Sequence, residues 1–290
     1  MENKISEINS PEAIILVIAF FDLFDFPLTV SEIWENTGRQ VSLSEIINLL
    51  KQTDKIEEKN GFYFLKGRSE IIAIRRARYF FSERKVRIAR RFAYLFSLCP
   101  FVQVVTLANS LGFYNLRRES DLDFFIITSP GKIWLSRLYC AGLAKILACR
   151  PTEKVKQDRV CLSFYVSADY LNLDKLRLEG GDPYFDYWRQ HLFLLYNKNR
   201  IYEKFLAANN LINNPPVTLI PPGVATLGLV EKVAEKLQLR LLPSNLRVLA
   251  NQSEGVVINN QVIKLYRRDR RRYFSNLYGN KIAEIFKKNC

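Results

Sequence analysis

Asp121 and Asp123 stand one residue apart in Ser120-Asp121-Leu122-Asp123-Phe124-Phe125-Ile126-Ile127-Thr128, at the head of an apolar run. Along a strand, residues i and i+2 face the same side, so the two carboxylates project together while Leu122 turns toward the core. Two carboxylates this close repel unless a cation sits between them, and hard oxygen ligands suit Mg²⁺ or Mn²⁺. Upstream, Asn109-Ser110-Leu111-Gly112 makes a Ser/Gly turn after a second apolar stretch, Phe101 to Leu107. Backbone N–H groups of such a turn can cradle phosphate. Arg117 and Arg118 fall in the loop before the acids, and Arg binds phosphate through a fork of N–H donors. Carboxylates, divalent metal and phosphate cradle in one segment describe metal-assisted phosphoryl or nucleotidyl transfer. A turn with solvated acids is the plainer alternative, and the four apolar residues that follow argue against it.

The segment resembles the nucleotidyltransferase superfamily of DNA polymerase beta-like enzymes. That signature runs from an apolar residue, Gly, and Ser or Gly, across a short spacer, to acid-apolar-acid-apolar. Ala108-Asn109-Ser110 and Asp121-Leu122-Asp123-Phe124 follow it. The layout also resembles uncharacterised bacterial proteins that join a small helical N-terminal domain to such a core. The resemblance implies an α+β fold: a small mixed β-sheet core, an N-terminal winged-helix-like domain and helical C-terminal additions. It implies that Asp121 and Asp123 hold Mg²⁺ (or Mn²⁺), and that Asn109, Ser110, Gly112 and nearby backbone bind the β- and γ-phosphates of an NTP. Arg117 or Arg118 would steady the triphosphate while an acceptor hydroxyl attacks the α-phosphate, with RNA among the candidate acceptors. Two departures stand out. Asn109 replaces the motif glycine, and Asn is the residue after Gly that best tolerates a left-handed backbone. The third carboxylate of active members has no match: Ser163 is the interior polar residue of the next strand, with Asp158 and Asp169 at its ends. A degenerate copy of the fold, binding nucleic acid or protein without catalysis, is therefore the competing reading.

Composition narrows the classes. The five cysteines are odd in number and form no C-x-x-C pair, which fits reduced thiols in a cytoplasm and argues against a zinc site. A single histidine, His191, leaves no Ser/His/Asp or Cys/His hydrolase to argue for, and it reads as a helix-face residue. The apolar run Ala13 to Phe21 is broken by Asp22 and Asp25 and is too short to span a bilayer; a cytoplasmic protein with no membrane partner is expected. The net charge of +14 is unevenly spread. Residues 1–66 hold 6 Lys/Arg and 11 Asp/Glu, residues 67–100 hold 9 and 2, and residues 240–290 hold 11 and 3. Such basic blocks attract RNA or another polyanion.

Residues 1–66 read as a winged-helix-like domain. Pro11 to Phe24 is a helix with Ser10 as N-cap, Thr29 to Glu32 and Ser42 to Glu45 are capping boxes, and Asn60-Gly61 turns a hairpin. Its third helix offers Glu45 and only Lys51 as a cation, so a protein contact is favoured over DNA reading. Residues 67–100 form a basic connecting helix, with Arg75, Arg76, Arg78, Arg84, Lys85, Arg87, Arg90 and Arg91 among apolar residues. That pattern is either a solvated face or a basic wall for a triphosphate or nucleic acid. Residues 101–212 are the core, with strands at Phe101 to Leu107, Asp121 to Thr128 and Val160 to Val166. Helices are expected at Ser110 to Leu116, Ile133 to Ala148 and Pro183 to Asn210. Residues 213–290 are a basic appendage: a helix from Leu227 to Leu241, a hairpin around Asn259-Asn260 and a last helix. Arg267, Arg268, Arg270, Arg271 and Arg272 beside Tyr273 and Phe274 suggest a nucleic-acid grip, a solvated tail, or a patch docking on the acidic N-terminal domain.

Overall fold

Side chains that satisfy orphan N–H groups set the first helices. In the computed structural model, which describes residues 10–37, 41–108, 114–152, 154–212 and 228–287, α1 spans Pro11–Asp22, α2 Val30–Asn36 and α3 Leu43–Lys51. Thr29 and Ser42 each accept from the N–H three residues on, while Glu32 and Glu45 reach back to the cap N–H; both capping boxes form. Ser10 takes the extended N-cap backbone, but its side chain makes no cap bond. β1 (Ile56–Lys59) and β2 (Phe62–Leu65) pair antiparallel. Asn60 and Gly61, at φ 57° and 78°, supply the two left-handed residues of the hairpin turn.

The basic stretch is one helix, α4, over Ile71–Ser97. Several of its cations are engaged internally. Arg75 forks onto both oxygens of Glu32 at 2.8 and 2.7 Å, and Arg78 meets Asp25 at 3.0 Å. Lys85, 2% exposed, reaches Asp158 at 2.7 Å and the Ser120 carbonyl at 2.6 Å. These bonds strap the N-terminal helices to the core.

The core is a mixed six-stranded sheet, so the protein is α+β. Its strands are β3 (Val102–Leu107), β4 (Leu122–Thr128), β5 (Val160–Ser167), β6 (Phe193–Asn197), β7 (Val256–Ile258) and β8 (Val262–Leu265), in the order β6-β3-β4-β5-β8-β7. Only β4 and β5 are parallel, and α5 (Ile133–Ile146) makes the crossover between them. The near-unbroken apolar run of β4 reflects burial on both faces. Val105, Phe124, Ile126 and Tyr165 pack with α4, α5 and Ala234 of α8 (Leu229–Arg240). Val104, Phe125, Ile127 and Phe164 pack with α1, α6 (Pro183–Gln190) and α7 (Ile201–Ala208). A short helix, α9 (Ser244–Leu249), precedes β7, and α10 (Arg271–Phe286) lies against α1, where Tyr278 donates to the Leu16 carbonyl at 3.0 Å and Lys281 pairs with Asp22.

Four expectations change. Pro183 to Asn210 is not one helix: β6 interrupts it, bonding along the edge of β3, and Asn199 and Arg200 turn the chain at φ 55° and 54° before α7. The helix expected over Ser110 to Leu116 lies largely outside the described residues, and Tyr114 to Leu116 are not helical. Asp121 precedes β4 rather than opening it. The stretch read as an appendage builds part of the core: β8 pairs with β5, and the buried Glu231 of α8 accepts from the N–H groups of Trp134 and Leu135 at 2.7 and 3.1 Å, capping α5 from a distance. No helix among the described residues is long and apolar enough to cross a membrane.

Candidate active site

β4 lies in the middle of the sheet, so its first residues are held from both sides. The N–H of Ala108 donates to the Asp123 carbonyl at 2.7 Å, and that of Leu122 to Arg159 at 2.7 Å. Leu122 is fully buried, which leaves the acids on either side of it directed together. In the parallel register Asp123 faces Cys161, and a one-residue shift follows before Phe125 meets Phe164. Ligand atoms of Asp121, Asp123 and Cys161 all lie within 4.8 Å of one another. The Cys161 sulfur is 2.7 Å from the Ser163 hydroxyl.

Burial governs the charge of this trio. It pushes Asp123 up to about 7, with the neighbouring Asp121 charge adding to the effect and a hydrogen bond to Cys161 opposing it. It raises Asp121 too, against its backbone hydrogen bond and the charges of Lys156 and Lys85. The Cys161 thiol is raised well above its ordinary value by burial and then by Asp123. Two carboxylates held in a costly ionised state accept a cation readily. The donor set fits a hard divalent ion bound through one or two carboxylates with substrate phosphate completing the shell. The adjacent sulfur adds a preference for a softer ion such as Zn²⁺ or Co²⁺ over Mg²⁺.

Among the named stand-ins for a third carboxylate, none joins the pair. Asp158 is taken by Lys85 and Arg84, Asp169 is exposed, and Ser163 bonds the Cys161 sulfur. Cys161, not Ser163, is the residue opposite Asp123.

The acids sit in the wall of a cleft of about 400 Å³. Arg78, Arg117, Arg268 and Arg270 also line it, with Lys264, Asp269 and Arg271 on the C-terminal side. Its aromatic lining includes Phe24, Tyr184, Trp188, Tyr266 and Phe274. Tyr184 and Phe274 stack with centroids 5.2 Å apart. The Trp188 indole N–H donates to the Ala108 carbonyl at 2.9 Å, bracing the residue before the expected phosphate turn. Gly255 lets Tyr266 approach: a Cβ there would come within 2.3 Å of the Tyr266 carbonyl oxygen. Asp269 is held at about 2, because Arg271 and Lys264 outweigh the effect of its burial. Lys264 is lowered to about 8 by burial and Arg271, against the pull of Asp269.

The expected residues divide. Asp121, Asp123 and Arg117 meet in the cleft, while Arg118 is exposed outside its lining. Asn109, Ser110 and Gly112 lie outside the described residues. The C-terminal arginines do not form one continuous grip. Arg271 is buried on Asp182 at 2.7 Å and Asp269 at 2.8 Å, and Arg272 pairs with Glu254. Arg270 lies over the rings of Tyr273 and Phe274 at 5.0 and 5.2 Å, Arg268 faces the cleft and Arg267 is exposed. His191 caps α6, bonded to the Tyr187 carbonyl at 2.7 Å and not in the cleft lining. Cys161 beside the acids, and Lys264 and Asp269 in the cleft lining, are the residues that motif reading misses. A lone acid among arginines was the available signal for Asp269.

No protein-family model, curated protein or solved structure matches the chain. Paired acids in a cleft that guanidinium groups and aromatic rings also line suit an anionic ligand that carries a flat ring and brings a metal ion.

Proposed function

We propose that the protein is a divalent-metal-dependent nucleotidyltransferase, moving a nucleoside monophosphate from an NTP to an acceptor hydroxyl. The observation that carries this reading is the Asp121–Asp123 pair opening on a cleft that also presents Arg78, Arg117, Arg268 and Arg270. Asp121 and Asp123 would hold the ion, which when bound neutralises charge on the reacting phosphate. Arg117, Arg268 and Arg270 would grip the non-reacting phosphates through forked hydrogen bonds and hold the chain of phosphates in line, with Arg78 fixed in the wall by Asp25, Asn115 and the Phe24 carbonyl. The aromatic lining of the cleft gives the base an apolar wall. In the reaction the acceptor oxygen bonds to the α-phosphorus, the bond from that phosphorus to the β-phosphate oxygen breaks, pyrophosphate leaves, and the hydroxyl proton passes to water.

A second reading rests on Cys161. With a thiol opposite Asp123, and with Asp158 and Asp269 each neutralised by two cations, no free third carboxylate joins the pair among the described residues to activate the hydroxyl. A protein that binds nucleotide or nucleic acid without turnover follows from that.

Pyrophosphate release separates the two. Each of the four NTPs is offered with Mg²⁺ or Mn²⁺, with and without total RNA, to the wild type and to Asp121→Asn and Asp123→Asn. Release lost in both variants supports the transferase and identifies the nucleotide. Release that persists in Asp121→Asn refutes the site. No release from folded wild type that binds nucleotide favours the non-catalytic reading.

A further inference from the structure

α4 has a second face that the cleft does not use. At 100° per residue, Arg76, Phe80, Arg87, Arg90, Arg91 and Tyr94 fall within an arc of about 100°, and all six are exposed. Phe80 is 72% exposed and Tyr94 67%. Glu83 is the single acid on that arc. Among the described residues, none of the four guanidinium groups has an ion-pair partner, in contrast to Arg75, Arg78 and Arg84 of the same helix. From Arg76 to Tyr94 the arc runs about 27 Å at the helical rise.

We infer that this outer face of α4 binds single-stranded nucleic acid. Four Arg stand against one Glu on the arc, and the planar group of Arg both forks onto phosphate and stacks. The exposed rings interleave with the arginines, which is the arrangement that holds an unpaired strand through backbone charge and base stacking together. A duplex offers no free base faces to Phe80 and Tyr94. A membrane surface requires a continuous apolar face on the helix. In α4 that face, with Val86, Ala89, Phe92 and Phe96, is already packed into the core. Arg78 leaves the helix on the cleft side, so the strand and the cleft ligand occupy different faces, and the proposal stands whether or not the cleft turns over nucleotide.

The test is fluorescence anisotropy with a labelled single-stranded RNA or DNA of about 12 nucleotides, titrated with the full chain over a range of salt. Four phosphate contacts give a log–log salt slope of about −3. Arg87→Ala/Arg90→Ala/Arg91→Ala is expected to weaken binding at least about tenfold and to bring the slope to about −1. Phe80→Ala/Tyr94→Ala is expected to weaken binding at least about fivefold with the slope unchanged. All five positions are exposed, so both variants should keep the wild-type circular dichroism. Absence of binding at low salt overturns the proposal. So does wild-type affinity in either variant, or binding to phosphatidylserine vesicles in place of the oligonucleotide.

Discussion

Replacing Asp123 with asparagine should stabilise the metal-free protein above neutral pH. In the folded chain this carboxyl is raised from 3.8 to about 7, first by burial and then by Asp121. Between those values the folded state keeps a proton that the unfolded state has released. Stability therefore falls as pH rises through that window, and the loss is complete above about 7. Three pH units at 1.36 kcal/mol each set a ceiling of about 4 kcal/mol. Water entering an open cleft lowers this, so a gain of about 1–3 kcal/mol is expected for the neutral amide at pH 8, and close to none at pH 4. That corresponds to a rise in Tm of about 2–5 °C. The assay is thermal unfolding from pH 4 to pH 8 in chelator, followed by Mg²⁺ or Mn²⁺ titration. The wild type should recover about 2.7 kcal/mol at a hundredfold excess over Kd, and Asp123→Asn should recover little. A flat wild-type profile in chelator, or an amide variant no more stable at pH 8, would refute the idea that the fold holds this carboxylate at a cost that a cation relieves.

Three further outcomes follow from the same geometry. Cys161→Ser should lower Zn²⁺ or Co²⁺ affinity at least about tenfold by calorimetric titration while Mg²⁺ binding changes little. Arg271→Met strands the fully buried Asp182 and should cost about 3–5 kcal/mol in urea unfolding; a loss under 1 kcal/mol would mean that the network is solvated. Glu231→Ala leaves two N–H groups at the start of α5 without their acceptor and should cost about 1–3 kcal/mol, read as a lower Tm with activity retained.

What could be read from the sequence was what local chemistry decides. Thr29/Glu32 and Ser42/Glu45 form their capping boxes because both partners lie within one turn, and Asn60-Gly61 fixes its hairpin by its own backbone preferences. The Asp121–Asp123 pair kept its common direction because Leu122 is anchored in the core. β6 was hidden for the opposite reason: Phe193–Asn197 sits between helix-forming aromatic runs, and its partner β3 is about ninety residues upstream. Asn197 to Arg200 carried the break signal, since the Asn197 side chain accepts from the Tyr202 N–H at 3.0 Å and two left-handed residues follow. The pairing of Asp123 with Cys161 depends on parallel register, which no local pattern encodes. The C-terminal arginines looked alike in sequence, yet only their partners Asp182, Asp269 and Glu254 assign them to core, cleft or surface.

The contact between α1 and α10 has a consequence for how the protein is made. Lys281 and Asp22 are 259 residues apart in the chain, and the cleft draws Phe24 from one end and Phe274 from the other. At 5–20 residues per second a ribosome needs roughly 13–50 s to cover that interval. Throughout it, the surface of α1 around Leu16 and Phe20 has no Tyr278 to cover it. The nascent chain thus carries an apolar helix awaiting one of its partners, and the cleft is complete only once the last helix has been made.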